Sequence, residues 1–135
     1  MILLSSLICF TGCHSLPPSD EARDSIASYM ARMESAMDFL FRNIEQPSKR
    51  NQNIVTVQAL LNAQKKAAEL IPDTSDDPHT KVSRIRLRRY RVRSLESIQF
   101  MTELLDSLEQ GNLKRAQELL LKLDQHRRDC HVEFG

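Results

Sequence analysis

Ile26-Ala-Ser-Tyr-Met30-Ala-Arg-Met33-Glu-Ser-Ala-Met37-Asp-Phe-Leu40-Phe-Arg-Asn-Ile44 carries apolar side chains at 26, 30, 33, 37, 40 and 44, in steps of 4, 3, 4, 3 and 4. On a 3.6-residue helix those positions fall on one stripe, held over about five turns. A stripe that narrow is not stable alone in water, so it needs partners. Pro47-Ser48 ends it. Upstream, Ser19 after Pro17-Pro18 is suited to an N-cap, with Asp20, Glu21 and Asp24 near the positive end of a helix dipole.

The partners lie downstream. From about Asn53 to Leu70, the residues Val57, Leu60, Ala63, Ala67 and Leu70 line one side of a second helix. Pro72-Asp-Thr-Ser-Asp-Asp-Pro78 is a loop. Lys81 to Arg93 alternates basic and apolar residues, which by itself imitates a strand. Ser94, Ile98, Met101, Leu105 and Leu108 then return to helical spacing, and nothing else in the chain offers a partner strand. Thr80 to Glu109 is therefore expected as one helix, with Gly111 as the left-handed residue that closes it. A last helix carries Leu113, Ala116, Leu120, Leu123, Arg127 and Cys130.

Four amphipathic helices predict an all-α fold, an antiparallel up-down-up-down four-helix bundle. The composition agrees. In 135 residues there are only 3 Gly and 5 Pro, hydrophobic residues make up 41% and charged ones 27%, and no Asn-Gly or Asp-Gly hairpin turn occurs. The length suits one domain. Three cysteines are too few for a disulfide scaffold, and a net charge of +1 gives no bulk argument for nucleic acid.

Residues 1–18 read as an address and a tether, leaving 19–135 for the bundle. Met1 to Gly12 is an uncharged apolar run, too short to span a bilayer but suited to the core of an export signal. Phe10-Thr11-Gly12-Cys13 resembles the lipobox of bacterial lipoproteins. That resemblance implies a periplasmic protein anchored through an acylated Cys13.

No Ser-His-Asp set, Walker loop, Cys-x-x-Cys pair or pair of Glu-x-x-His motifs is present, so no enzyme is expected. Glu109-Gln-Gly-Asn-Leu-Lys-Arg-Ala-Gln-Glu118, followed by Leu123, Arg127 and His131, resembles the last helix of the soluble cytochrome b562 family. Met37-Asp-Phe-Leu-Phe-Arg-Asn-Ile44 is similar to the part of that family's first helix that carries its axial methionine. The resemblance covers about Met33 to Gly135. It implies one non-covalent haem b between the first and last helices, with Met37 and His131 as the iron's axial ligands, and one-electron transfer as the function. Met33, one turn earlier, is the rival thioether. The resemblance implies a place for Arg127 beside the haem or a propionate; a solvated charge is the plain alternative. The chain departs from the family pattern at Ser94 and Cys130, both standing where the family carries an aromatic residue. In Arg127-Arg-Asp-Cys130-His131, Cys130 offers either a single thioether bond to the haem or an ordinary buried thiol.

Lys81, Arg84, Arg86, Arg88, Arg89, Arg91 and Arg93 place seven positive charges within thirteen residues, whereas Ser19 to Gln46 holds six acids against three Arg. The basic segment is a candidate docking face for a redox partner protein or for anionic lipid headgroups, with a solvated face as the plain alternative. A nucleic-acid partner is not expected of an exported protein. Two functions of different class follow: a periplasmic haem b electron carrier, or a haem-free helical-bundle lipoprotein of the same fold acting as a binding or envelope-stress module.

Overall fold

The chain from Ile26 to Asn43 forms the expected helix, and the stripe from Met33 to Ile44 faces inward. The computed structural model describes residues 26–70 and 81–134. The expected export signal, acylation of Cys13, helix start at Ser19 and loop from Pro72 to Pro78 all lie outside the described residues. Helix α1 is Ile26–Asn43, followed by a 3-10 turn at Pro47–Lys49. Helix α2 is Arg50–Ala67, α3 is Lys81–Glu109 and α4 is Leu113–Phe134. No strand occurs among the described residues.

Along α1, Met37, Leu40 and Ile44 are buried and Met33 is half-buried against them. The second helix begins three residues earlier than its apolar pattern suggests. Pro47 opens a single tight turn, where its missing N–H costs nothing, and the chain passes directly into α2. Asn53 is thereby drawn inside, its Nδ2 donating 3.1 Å to the Asn43 carbonyl oxygen at the end of α1, which also accepts from the Gln46 N–H. At its other end α2 stops at Ala67 rather than Leu70, and Ala68 to Leu70 continue as turns.

The strand-like alternation of Lys81 to Arg93 is overridden by burial at helical spacing. Tyr90, Ser94, Ser97, Met101, Leu104 and Leu108 are all buried, in steps of 4, 3, 4, 3 and 4. The helix closes as Gly111 predicts. With φ at +72°, Gly111 donates its N–H to Leu108 O, and Asn112 N–H reaches back to Ser107 O. This pair of bonds satisfies the terminal carbonyls of α3. Asn112 then caps α4, its Oδ1 accepting from the Arg115 N–H at 3.1 Å. From α2, Arg50 donates to the Leu108 and Glu109 carbonyls, placing a cation at the negative end of α3.

All four described helices contribute to one apolar core. Met37, Leu40, Ile44, Val57, Leu60, Met101, Leu104, Leu108, Ala116, Leu119, Leu120 and Leu123 are its buried members. Helices α1 with α2, α2 with α3, and α3 with α4 pack closely, and α1 meets α4 more sparsely. Below Leu123 the inward side of α4 turns polar, with Asp124 and His126 both buried.

Candidate functional site

Two features stand apart from this core: a polar seam between α3 and α4, and the outward face of α3. The seam exists because α4 carries His126 and Cys130 four residues apart, hence on one side of the helix. His126 is 6% exposed, and its Nε2 lies 2.9 Å from the Arg93 carbonyl oxygen across the seam. A carbonyl can only accept, so Nε2 carries the proton; the tautomer is assigned from this partner. Nδ1 faces Glu96 Oε2 at 3.7 Å, and the ring meets Phe100 edge-on at 5.6 Å. Arg93 donates to both Glu96 and Glu133, at 3.1 and 3.3 Å. At the foot of the seam, Tyr90 donates its hydroxyl to the Ala67 carbonyl and stacks edge-to-face on Phe134.

Cys130, His126 and Glu96 superficially resemble a nucleophile, a base and its orienting carboxylate. Cys130 Sγ lies 3.5 Å from His126 Nε2. That nitrogen, however, presents a proton already given to Arg93, and it has no lone pair with which to take one from a thiol. Burial pushes the Cys130 thiol up to about 11, against the lowering effect of Arg93, and the charges of Glu133, Glu96 and Asp129 add to the rise. The arrangement holds a protonated thiol, and its hydrogen bonding serves to lock α4 onto α3.

The residues expected at a haem are not brought together. Met37 is 1% exposed, within an apolar cluster whose last member on α4 is Leu123. His131 is exposed, eight residues beyond Leu123, which is about 12 Å further along the helix. Gln117 donates to Glu45 at 2.9 Å and sets where α1 and α4 meet. From that tie Met37 lies about 12 Å along one helix, and His131 about 21 Å along the other. Counted this way the two lie at levels about 9 Å apart, with Met37 closed into the core and His131 at the surface, whereas six-coordinate iron needs both ligands at one level. Met33 is nearer in level but also lies against the core.

Arg127 is committed elsewhere, its Nε and one terminal nitrogen donating to Asp124 Oδ1 at 3.2 and 3.1 Å. Arg128 reaches the other oxygen of that carboxylate. Cys130 belongs to the α3 side of α4, beside His126, rather than to the gap toward α1. Ser94, where the family pattern has an aromatic residue, is buried. Among the described residues, no group of three or more His, Cys, Asp or Glu side chains is placed to hold a metal ion. The sequence reading missed His126, Asp124 and Glu96. The only clue to the first was its i,i+4 relation to Cys130.

The outward face of α3 is the other feature. With Tyr90 and Ser94 turned inward, Arg84, Arg88, Arg89 and Arg91 are turned out and exposed, as are Ile85, Val92 and Leu95. A shallow groove runs along its border with α4, lined by Arg88, Arg89, Val92, Arg93, Glu96 and Glu133. Arg89 and Arg93 are paired with acids there, whereas Arg84, Arg88 and Arg91 have no ion-pair partner among the described residues.

No family model, curated protein or solved structure matches this chain.

Proposed function

We propose that this chain is a haem-free helical-bundle module that works by docking, without catalysis, through the outward face of α3. The single observation that carries the proposal is the set of exposed, unpaired Arg84, Arg88 and Arg91 on the same face as exposed Ile85, Val92 and Leu95. Charged residues dissolve well on any surface, but three large aliphatic side chains among them gain nothing from water. We further propose an up-down-up-down order for the helices. Ties of Asn53 to Asn43, Arg50 to Leu108 and Gln117 to Glu45 at one end support it. So do ties of Tyr90 to Ala67 and to Phe134 at the other. The N-terminal resemblance to a lipobox supports a periplasmic setting, with Cys13 as the anchor. No helix among the described residues is long and apolar enough to cross a membrane.

Two measurements test the reading. Purified protein titrated with haemin should give no low-spin spectrum before or after dithionite. A low-spin spectrum that vanishes in both Met37→Ala and His131→Ala would restore the electron carrier. Retention on an immobilised polyanion should be lost in the triple variant Arg84→Glu, Arg88→Glu, Arg91→Glu. Equal retention of variant and parent would remove the docking face itself.

A further inference from the structure

The geometry points to an anionic lipid bilayer as the surface on which α3 docks, an inference that rests on the docking reading above and names its partner. Arg84, Arg88 and Arg91 follow one another in steps of 4 and 3, and Leu95 continues the same line four residues on. Ile85 and Val92, two turns apart, run beside it. The face so formed extends from Arg84 to Leu95, about 16 Å of helix. It is solvent-facing throughout: Ile85 is 47% exposed, Val92 48% and Leu95 63%.

Charge selects a negative partner, and the aliphatic residues decide which kind. A phosphate backbone or a polyanion would reward the guanidinium groups but offers nothing to Ile85, Val92 and Leu95. Single-stranded nucleic acid is met with aromatic side chains that stack on its bases, and the only aromatic residue of this segment, Tyr90, is buried; a duplex backbone rewards the guanidinium groups alone. A bilayer interface rewards both groups at once. Arginine forks pair with headgroup phosphates, and short aliphatic side chains sink into the headgroup–acyl boundary. The acids bordering the face do not oppose this, because Glu96 and Glu133 are engaged by Arg93. The helix would lie flat on the surface, with its buried side still held by the bundle.

Vesicle co-sedimentation tests the assignment. The full chain carrying Cys13→Ser, so that no acyl group contributes, is mixed with vesicles of phosphatidylcholine plus phosphatidylglycerol, and separately with vesicles of phosphatidylcholine alone. Binding is expected to the first, weaker by at least tenfold to the second, and weakened by salt. Arg84→Glu, Arg88→Glu, Arg91→Glu together should reduce it roughly a hundredfold. Val92→Ser with Leu95→Ser, which leaves every charge in place, should reduce it roughly tenfold. All these positions are exposed, and circular dichroism verifies that the variants stay helical. Equal binding to both vesicle types overturns the inference. So does binding that the two serines leave untouched, which would mark a general polyanion site. Retention on the polyanion matrix without any vesicle binding would sink the lipid partner while leaving the docking module standing.

Discussion

The imidazole of His126 and the backbone carbonyl of Arg93 are joined across the seam of α3 and α4 at 2.9 Å, thirty-three residues apart in sequence. This bond fixes how far α4 is rotated about its own axis, because only one rotation brings a ring at position 126 against the α3 backbone. Replacing His126 with Phe keeps the ring's packing on Phe100 but deletes the bond, and should cost about 1 kcal/mol. His126→Ala empties the ring's volume as well and should cost about 2–4 kcal/mol. Urea unfolding measures both through the midpoint, with the slope unchanged. A His126→Ala protein as stable as its parent would show that the seam is not held there.

How much of this was legible beforehand depends on what kind of interaction was in question. The apolar residues of α1 announced themselves, because burial at 3.6-residue spacing is a property of local sequence. Gly111 was legible for a similar reason: a φ of +72° is open to glycine at no steric cost. The start of α2 was not. Its first residues, Arg50 to Gln52, are polar, and only the inward Asn53, bonded to the end of another helix, shows why it begins where it does. The candidate site divides in the same way. Met37 and His131 each sit in a plausible local pattern, but their separation depends on where the turn after α1 falls. That turn comes six residues past Met37, and His131 lies eighteen past the start of α4. His126 escaped notice because its partner is a backbone carbonyl, which no side-chain motif records.

Cys130 should behave as an inert thiol near neutral pH. With its pKa at about 11, only about one thiol in a thousand is ionised at pH 8, and the thiolate is the reactive form. In a chain carrying Cys9→Ser and Cys13→Ser, iodoacetamide labelling of the folded protein should be slow and should climb with pH until about 11. Labelling in urea should be far faster at pH 8. Rapid labelling of the folded protein at neutral pH would mean that His126 does accept the thiol proton, and the tautomer assigned above would be wrong.

Asp124 makes the fold sensitive to acid. Burial alone would raise its pKa, but hydrogen bonds and charge from Arg128 and Arg127 outweigh burial and hold the carboxyl below its ordinary range. The folded chain therefore binds this proton less readily than the unfolded chain does. The stability it contributes is complete above the unfolded value, and is lost as pH falls through the folded one, below about pH 4. Asp124→Asn should lower stability at pH 7 by about 1–3 kcal/mol. It should also flatten the decline at low pH, which thermal melts between pH 2 and pH 7 would reveal. An Asn variant whose stability falls with acid as steeply as its parent's would assign that decline to other carboxylates.

Met37 separates the structural from the cofactor reading in one substitution. Buried in the common core, it should behave as an ordinary filled volume, and Met37→Ala should cost about 2–5 kcal/mol in urea unfolding. Met33, half-buried at the edge of that core, should cost less on the same change. His131→Ala, at an exposed position, should move stability by no more than about 0.5 kcal/mol. The two substitutions act on separate parts of the molecule, so their effects should add in the double variant. If haemin stabilised the parent, and that gain disappeared equally in Met37→Ala, in His131→Ala and in the double variant, the two side chains would have to share one iron. The packing of α1 against α4 would then have to shift by more than one and a half helical turns on binding.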